Sequence, residues 1–148
     1  MATAEQSEPG HVIVHGTAAG FAQEIEIGSH ELFADEPVSY GGTDTGASPY
    51  DLILAALGSC TSMTIGLYAR KRSWPLEKIT VSLTHSKIHA KDCDDCETKD
   101  GRIDRIEMEI HLEGALSEEQ RAKLMEIAGK CPIHQTLTHE INIRTRGV

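Results

Sequence analysis

The sequence has little positive charge, few cysteines and no extended segment typical of membrane proteins. Lys and Arg number 14 against 23 Asp and Glu, which gives a formal net charge of −9. Such an acidic surface repels phosphate backbones and anionic lipids, so nucleic acids and membrane surfaces are poor candidates for partners. The four cysteines in 148 residues are too sparse for a disulfide scaffold and indicate reactive or metal-binding thiols instead.

The pattern also predicts neither an export signal nor a membrane span. The first ten residues are polar and acidic and lack the basic and apolar regions of a signal peptide. The most apolar stretch, residues 52–67, is interrupted by Gly58 and by several hydroxyl residues, and it is shorter than a bilayer requires. We therefore expect a cytoplasmic protein with a disordered tail over residues 1–10 and a single domain over residues 11–148.

The hydrophobic pattern predicts an α+β fold. Short alternating segments predict three N-terminal strands, and two longer ones predict a hairpin on either side of residues 91–101. Capping boxes beginning at Ser48 and Ser117 open a long apolar central helix and a second helix. The glycine-rich residues 41–48 predict a flexible loop, and residues 141–145 predict a last strand. The predicted order is β-β-β-α-β-β-α-β, with antiparallel sheets around the central helix.

Two of the cysteines lie in helical contexts. Cys60 is in the middle of the central helix and is flanked by small residues, where a buried structural cysteine is the simplest interpretation. Cys131 precedes Pro132, the first residue of a predicted short helix, so the positive end of the helix dipole favours its thiolate. His134 is close enough in sequence to supply a proton or a charge, and an ordinary surface histidine is the alternative interpretation.

The other two cysteines form a C-x-x-C pair in the connection of the hairpin. Cys93 and Cys96 follow His85 and His89, a spacing that suits zinc. Along an extended strand the two histidines lie about 13 Å apart, so one ion cannot bind both. A zinc site made of His89, Cys93, Cys96 and one outside ligand is one hypothesis. A surface dithiol, or a loop kept soluble by its acidic residues, is the alternative.

Two segments of the sequence resemble a known family. SPYDLILAALGSCTSMT (48–64) and CPIHQTL (131–137) are similar to the OsmC/Ohr family of peroxide-reducing proteins. The longer GGTDTGASPYDLILAALGSCTSMT, together with HAKDCDDCE, resembles an OsmC-like subgroup, and the resemblance covers roughly residues 12–146. It implies a swapped homodimer with active sites at the subunit interface. It also implies reduction of organic hydroperoxides without a required cofactor.

The resemblance further implies a role for each of the first two cysteines. Cys60 is the peroxidatic thiolate, which becomes a sulfenic acid, and Cys131 resolves it to a disulfide that an external dithiol reduces. Well-studied members carry a Glu directly after the helix-starting Pro and an Arg in the N-terminal strands. Here Tyr50 follows Pro49, and no Arg precedes Arg70. A non-enzymatic ligand-binding or redox-sensing module, with or without zinc, is therefore the alternative function.

Overall fold

The computed structural model describes residues 10–148, so the predicted disordered tail lies outside the described residues except for Gly10. The chain forms two compact units, Met1–Ile53 and Leu54–Val148, and the boundary falls near the start of the central helix. The fold is α+β with antiparallel sheets, which confirms the predicted fold class. That all of residues 11–148 act as a single domain stays a prediction.

The first unit is built on a three-stranded antiparallel meander. Its strands are β1 (Val12–Gly16), β2 (Gln23–Ile27) and β3 (His30–Ala34), and each pairs with the next along the chain. Gly28 has a φ of 60° in the tight connection between β2 and β3, a backbone conformation that glycine adopts without strain. The three predicted N-terminal strands are therefore confirmed.

Asp35 ties down the glycine-rich loop that follows β3. One carboxylate oxygen accepts hydrogen bonds from the backbone N–H and the hydroxyl of both Thr43 and Thr45, and the other accepts the N–H of Glu36. The hydroxyl of Thr43, then that of Thr45, holds the pKa of this carboxyl well below its usual range despite burial. These bonds anchor the loop, so the prediction of a flexible loop is wrong. The sequence pattern does not reveal that Asp35 accepts hydrogen bonds from residues eight and ten positions away.

The second unit combines a long hairpin with three helices. Its elements are α1 (Pro49–Lys71, which begins in the first unit), β4 (Leu76–His89), β5 (Arg102–Gly114), α2 (Glu118–Ala128) and α3 (Pro132–Leu137). The two strands pair along their length as an antiparallel hairpin. The predicted hairpin, both long helices and the short helical turn after the last cysteine are confirmed.

Local capping explains where the long helices begin. At the start of α1, Ser48 and Asp51 exchange hydrogen bonds between side chain and backbone, each reaching the other's N–H. At the start of α2, Ser117 and Gln120 do the same. Reciprocal bonds of this kind satisfy amide groups that a helix leaves without internal acceptors, so both predicted capping boxes are formed.

The core of the second unit lies between α1, α2 and the hairpin. Gly58 of α1 faces Leu83 of β4 so closely that an added Cβ would lie 2.7 Å from a leucine methyl group. The buried residues of this core come from α1, β5 and α2, and they are Ile65, Ala69, Leu112, Leu124 and Ala128. The long apolar helix therefore buries one face against its own unit.

The opposite face of α1 is apolar and exposed. Met63 is 71% exposed and Leu67 47%, although both lie in the most apolar part of the helix. With 23 residues, α1 is longer than the apolar stretch 52–67, and by length and composition alone it is able to cross a membrane. Its packing against the hairpin is instead that of a core helix with one side uncovered.

The last predicted strand is not formed. Residues 138–148 contain no strand, and Ile141 and Ile143 are exposed rather than paired on a sheet. The alternation of apolar and polar residues that predicted this strand is real, but a strand also needs a hydrogen-bonded neighbour. The described part of the chain supplies none for this segment.

Candidate active site

Cys60 and Cys131 are brought together within the second unit. Cys60 is half-buried in the middle of α1, and Cys131 is fully buried as the residue that precedes α3. Each thiol acts on the ionisation of the other through a hydrogen bond between the two side chains. Both cysteines are free thiols. The two sequence-predicted catalytic residues are therefore neighbours, 71 positions apart in the chain.

The negative charge of this pair is favoured on Cys131. Burial opposes ionisation, yet the pKa of the Cys131 thiol is lowered, because the hydrogen bond from Cys60 and the backbone N–H of His134 outweigh that opposition. The hydroxyl of Thr61 and the backbone N–H of Ile133 act in the same direction. This agrees with the thiolate expected at the start of a short helix. The contribution of His134 comes from its backbone, not from the side chain singled out in the sequence.

The same environment keeps the proton on Cys60. Burial raises the pKa of the Cys60 thiol, and the hydrogen bond to Cys131 raises it further. Two neighbouring thiols share their protons in this way because a second negative charge beside the first is disfavoured. Of the two thiols, Cys131 is thus the one that ionises more easily.

Thr61 is a site residue that the sequence interpretation missed. Its side chain is fully buried, and its hydroxyl oxygen has no hydrogen-bond partner of ordinary geometry. The hydroxyl nevertheless favours the thiolate of Cys131. A signal for it exists in the sequence, since Leu57, Thr61 and Ile65 are four residues apart and face the core together. A polar residue on this otherwise apolar, buried face of the helix indicates a specific role.

The C-x-x-C pair forms a disulfide and not a ligand cluster with His89. Cys93 and Cys96 are joined, with their Cα atoms 5.5 Å apart. Among the described residues, the third group close enough to share an ion with these sulfurs is the carboxylate of Asp95. His89 is not in this group, because it ends β4 and a turn of 3₁₀ helix separates it from Cys93. The arrangement does not support the expected zinc site.

Comparison with known proteins places the chain in a family. The sequence model of OsmC-like proteins matches residues 42–146. The chain therefore belongs to the OsmC-like family, which confirms the resemblance carried by the two cysteine-containing segments. None of the curated proteins compared with the chain matches it.

Solved structures share this fold at low sequence identity. An OsmC-like protein from Mycoplasma pneumoniae has a TM-score of 0.67 and 18% identity, with 86% of this chain and 85% of that chain covered. An organic hydroperoxide resistance protein from Legionella pneumophila has a TM-score of 0.63 and 19% identity, covering 86% and 88%. One from Elizabethkingia anophelis has a TM-score of 0.63 and 19% identity, covering 86% of each chain.

Proposed function

We propose that this protein reduces organic hydroperoxides with a pair of cysteine thiols, Cys60 and Cys131. The observation that carries the proposal is the direct interaction of a half-buried thiol with a fully buried one whose negative charge is favoured. The names of similar structures, which include organic hydroperoxide resistance proteins, support the choice of substrate class.

Cys60 is the sulfur that meets the peroxide, since it retains exposed surface while Cys131 has none. Its proton moves to the Cys131 thiolate as the Cys60 sulfur attacks the distal peroxide oxygen and the O–O bond breaks. That proton then passes to the departing alkoxide. The products of the step are a Cys60 sulfenic acid, an alcohol and the regenerated Cys131 thiolate.

Cys131 completes the reaction by attacking the sulfenic sulfur of Cys60. An S–S bond forms, and hydroxide leaves and takes up a proton as water. One hydroperoxide and two thiols thereby become one alcohol, one water and one disulfide. An external dithiol then reduces the disulfide and returns both thiols.

This assignment gives Cys131 a task that a charged activator performs in the family. The sequence has no Arg before Arg70 and no Glu directly after Pro49. A thiolate held by the α3 backbone amides and hydrogen-bonded to Cys60 provides a base for the Cys60 proton without either side chain. Exposed Met63 and Leu67 on the same helix add an apolar approach suited to an organic rather than an inorganic peroxide.

Steady-state turnover of cumene hydroperoxide with excess dithiol tests the function. Cys60→Ser removes the attacking sulfur, so the rate should fall to that of dithiol alone. Cys131→Ser leaves Cys60 but removes both the proton acceptor and the resolving thiol, so turnover should fall by at least about tenfold. The proposal fails if Cys60→Ser and wild type consume peroxide at the same rate.

The exposed apolar face of α1 supports a homodimer as the working form. Single exposed apolar residues are ordinary, but a contiguous exposed apolar surface marks an interaction site. Met63 and Leu67 lie one turn apart on the helix that carries Cys60. We therefore infer that a second copy of the chain packs against this face, so that the approach to Cys60 lies at the interface between the two copies. We also expect this protein to be cytoplasmic.

The raised pKa of Cys60 favours one alternative, a redox sensor that reacts slowly and once. Such a protein forms the same disulfide but is not returned to the thiol state by a dithiol at a useful rate. The turnover measurement separates the two, because a sensor consumes one equivalent of peroxide and then stops even with excess dithiol.

A further inference from the structure

The structure contains a second cysteine pair, which the proposed reaction leaves unused. Cys93 and Cys96 follow β4 and are joined as a disulfide, and the Cα separation of 5.5 Å is typical of such bonds. The backbone of this segment is anchored at both ends, because Ala90 donates its N–H to Gly101 and Cys93 donates its N–H to Ala90. The short ring that the disulfide closes over residues 93–96 is therefore held in place by the hairpin.

The two sulfurs of this pair differ in accessibility. Cys93 is only 6% exposed, whereas Cys96 is half-exposed. Thiol–disulfide exchange needs one sulfur that an incoming thiol or disulfide can reach and a second sulfur close enough to release the mixed disulfide. Cys96 and Cys93 meet these two requirements in that order.

The charges around the two pairs set the direction of electron flow. Asp92, Asp94, Asp95 and Glu97 flank the two cysteines in sequence, and a carboxylate oxygen of Asp95 lies 3.3 Å from the Cys93 sulfur. A nearby opposing charge is the ammonium of Lys99, which donates to the backbone carbonyl of Cys96 rather than to its sulfur. Nearby negative charge disfavours thiolate leaving groups, so a disulfide here resists reduction. At Cys131 the α3 amides favour the thiolate, which makes the Cys60–Cys131 disulfide the easier one to reduce.

The exchange has to join two chains. Leu83 of β4 contacts Gly58, two residues from Cys60, whereas β4 ends at His89, before Cys93. Six residues of extended strand span about 20 Å, far more than a disulfide exchange permits. A hairpin dithiol therefore reaches the active-site disulfide of a second copy of the chain and not that of its own.

We propose that the Cys93–Cys96 dithiol is a second redox centre, which reduces the Cys60–Cys131 disulfide of another copy. The inference rests on the proposed peroxide reduction. Cys96 attacks the active-site disulfide and releases one thiol. Cys93 then attacks the mixed disulfide and releases the other. Two thiols become a disulfide while one disulfide becomes two thiols, so two electrons and two protons are transferred.

The stoichiometry of peroxide consumption tests this inference. Fully reduced wild-type protein, freed of reductant and kept under anaerobic conditions, is mixed with excess cumene hydroperoxide. Each chain should consume two equivalents and end with both disulfides. The double variant Cys93→Ser/Cys96→Ser should consume one equivalent and end with the Cys60–Cys131 disulfide alone.

Two outcomes overturn different claims. Consumption of one equivalent by wild type, with the hairpin thiols still reduced by mass analysis, overturns the second redox centre and leaves the proposed function standing. Consumption of none overturns the proposed function. The Cys60→Ser variant is the matched control. If its hairpin pair is oxidised as fast as that of wild type, peroxide reacts there directly, and the proposed transfer between copies is wrong.

Discussion

Thr61 has a fully buried hydroxyl without an ordinary hydrogen bond, although burying an unpaired polar group is unfavourable. The group that this hydroxyl affects is the thiol of Cys131, whose charged form it favours. The hydroxyl thus costs stability as a buried group without an ordinary partner, and it favours the charged form of Cys131. Thr61 is therefore best understood as a positioning residue for the thiolate.

Thr61→Val separates these two effects, because valine keeps the shape and removes the hydroxyl. The pKa of Cys131 should rise, since the charged form loses a donor. The free energy of unfolding should stay the same or increase by up to about 1–2 kcal/mol, since no buried group is left unpaired. Ultraviolet thiolate absorbance against pH, in the Cys60→Ser chain with the hairpin disulfide intact, measures the first quantity, and urea unfolding measures the second.

Thr61→Ser is the matched control, because it retains the hydroxyl and loses only a methyl group. In the Cys60→Ser chain, the pKa of Cys131 should be nearly the same with serine as with threonine at position 61, while the free energy of unfolding should fall by about 1 kcal/mol. If Thr61→Val lowers the free energy of unfolding and leaves the pKa of Cys131 unchanged, the residue is purely structural.

At the scale of single elements, the loop between β3 and α1 depends on one carboxylate. Asp35 accepts hydrogen bonds from both Thr43 and Thr45, and the hydroxyl of Thr43 contributes most to lowering its pKa. A group whose pKa is lower in the folded state stabilises the fold above its unfolded value, about 3.9, and this contribution is lost as the pH falls toward the folded value.

Asp35→Asn should lower the urea midpoint at neutral pH, because an amide replaces one of the accepting oxygens with a donor. The difference in urea midpoint between Asp35→Asn and wild type should narrow as the pH falls below about 4, because the stabilisation that the charged Asp35 carboxylate gives to wild type is then progressively lost. Asp44→Asn in the same loop is the control, since Asp44 is exposed and asparagine tolerates its positive φ. Equal effects of the two substitutions would contradict the role given to Asp35.

Gly46 gives a second test of the same loop. A Cβ atom there would collide with the backbone carbonyl of Phe33, which cannot move aside as a side chain can. Gly46→Ala should therefore destabilise the protein by about 1–3 kcal/mol in urea unfolding, as overpacking does. At Gly20 an added Cβ meets open space, so Gly20→Ala should change stability little. Equal losses at both positions would contradict the close approach.

The elements that the sequence predicts well are those with their own local signals. The capping boxes at Ser48 and Ser117 and the alternation along β5 depend on neighbouring residues, and all of them are formed. The loop fixed by Asp35 depends on contacts across eight and ten positions, and the pattern of residues does not contain them. The strand expected at Ile141 lacks a neighbour, which no periodicity reveals.

The candidate site follows the same division. Part of the thiolate preference of Cys131 is local and predictable, since Pro132 indicates the start of a helix whose amides favour the charge, but the larger contribution comes from the distant Cys60. The contact between Cys60 and Cys131 comes from the family resemblance, because no spacing rule joins residues so far apart. The zinc hypothesis for His89, Cys93 and Cys96 is not supported, and the sequence could not decide it, because a C-x-x-C spacing suits a metal and a disulfide equally.

At the scale of the whole molecule, the uncovered face of α1 predicts an assembly. Met63→Glu places a charge in this face, so the proposed dimer should dissociate, and the molar mass from light scattering should fall from two chains to one. Met125→Glu is the matched control, because Met125 is also exposed but lies on α2. A wild-type protein that stays monomeric at all concentrations would contradict the proposed dimer.

The central claim is that peroxide oxidises Cys60 and that Cys131 captures the product. Peptide mapping is the decisive measurement, on reduced Cys93→Ser/Cys96→Ser protein that is treated with one equivalent of cumene hydroperoxide and then alkylated, because this protein has no hairpin dithiol to re-reduce its active site. Cys60 and Cys131 should be recovered in one disulfide-linked peptide, and the further substitution Cys131→Ser should yield a Cys60 sulfenic acid instead. Recovery of both cysteines as alkylated thiols while the peroxide is consumed would contradict the claim.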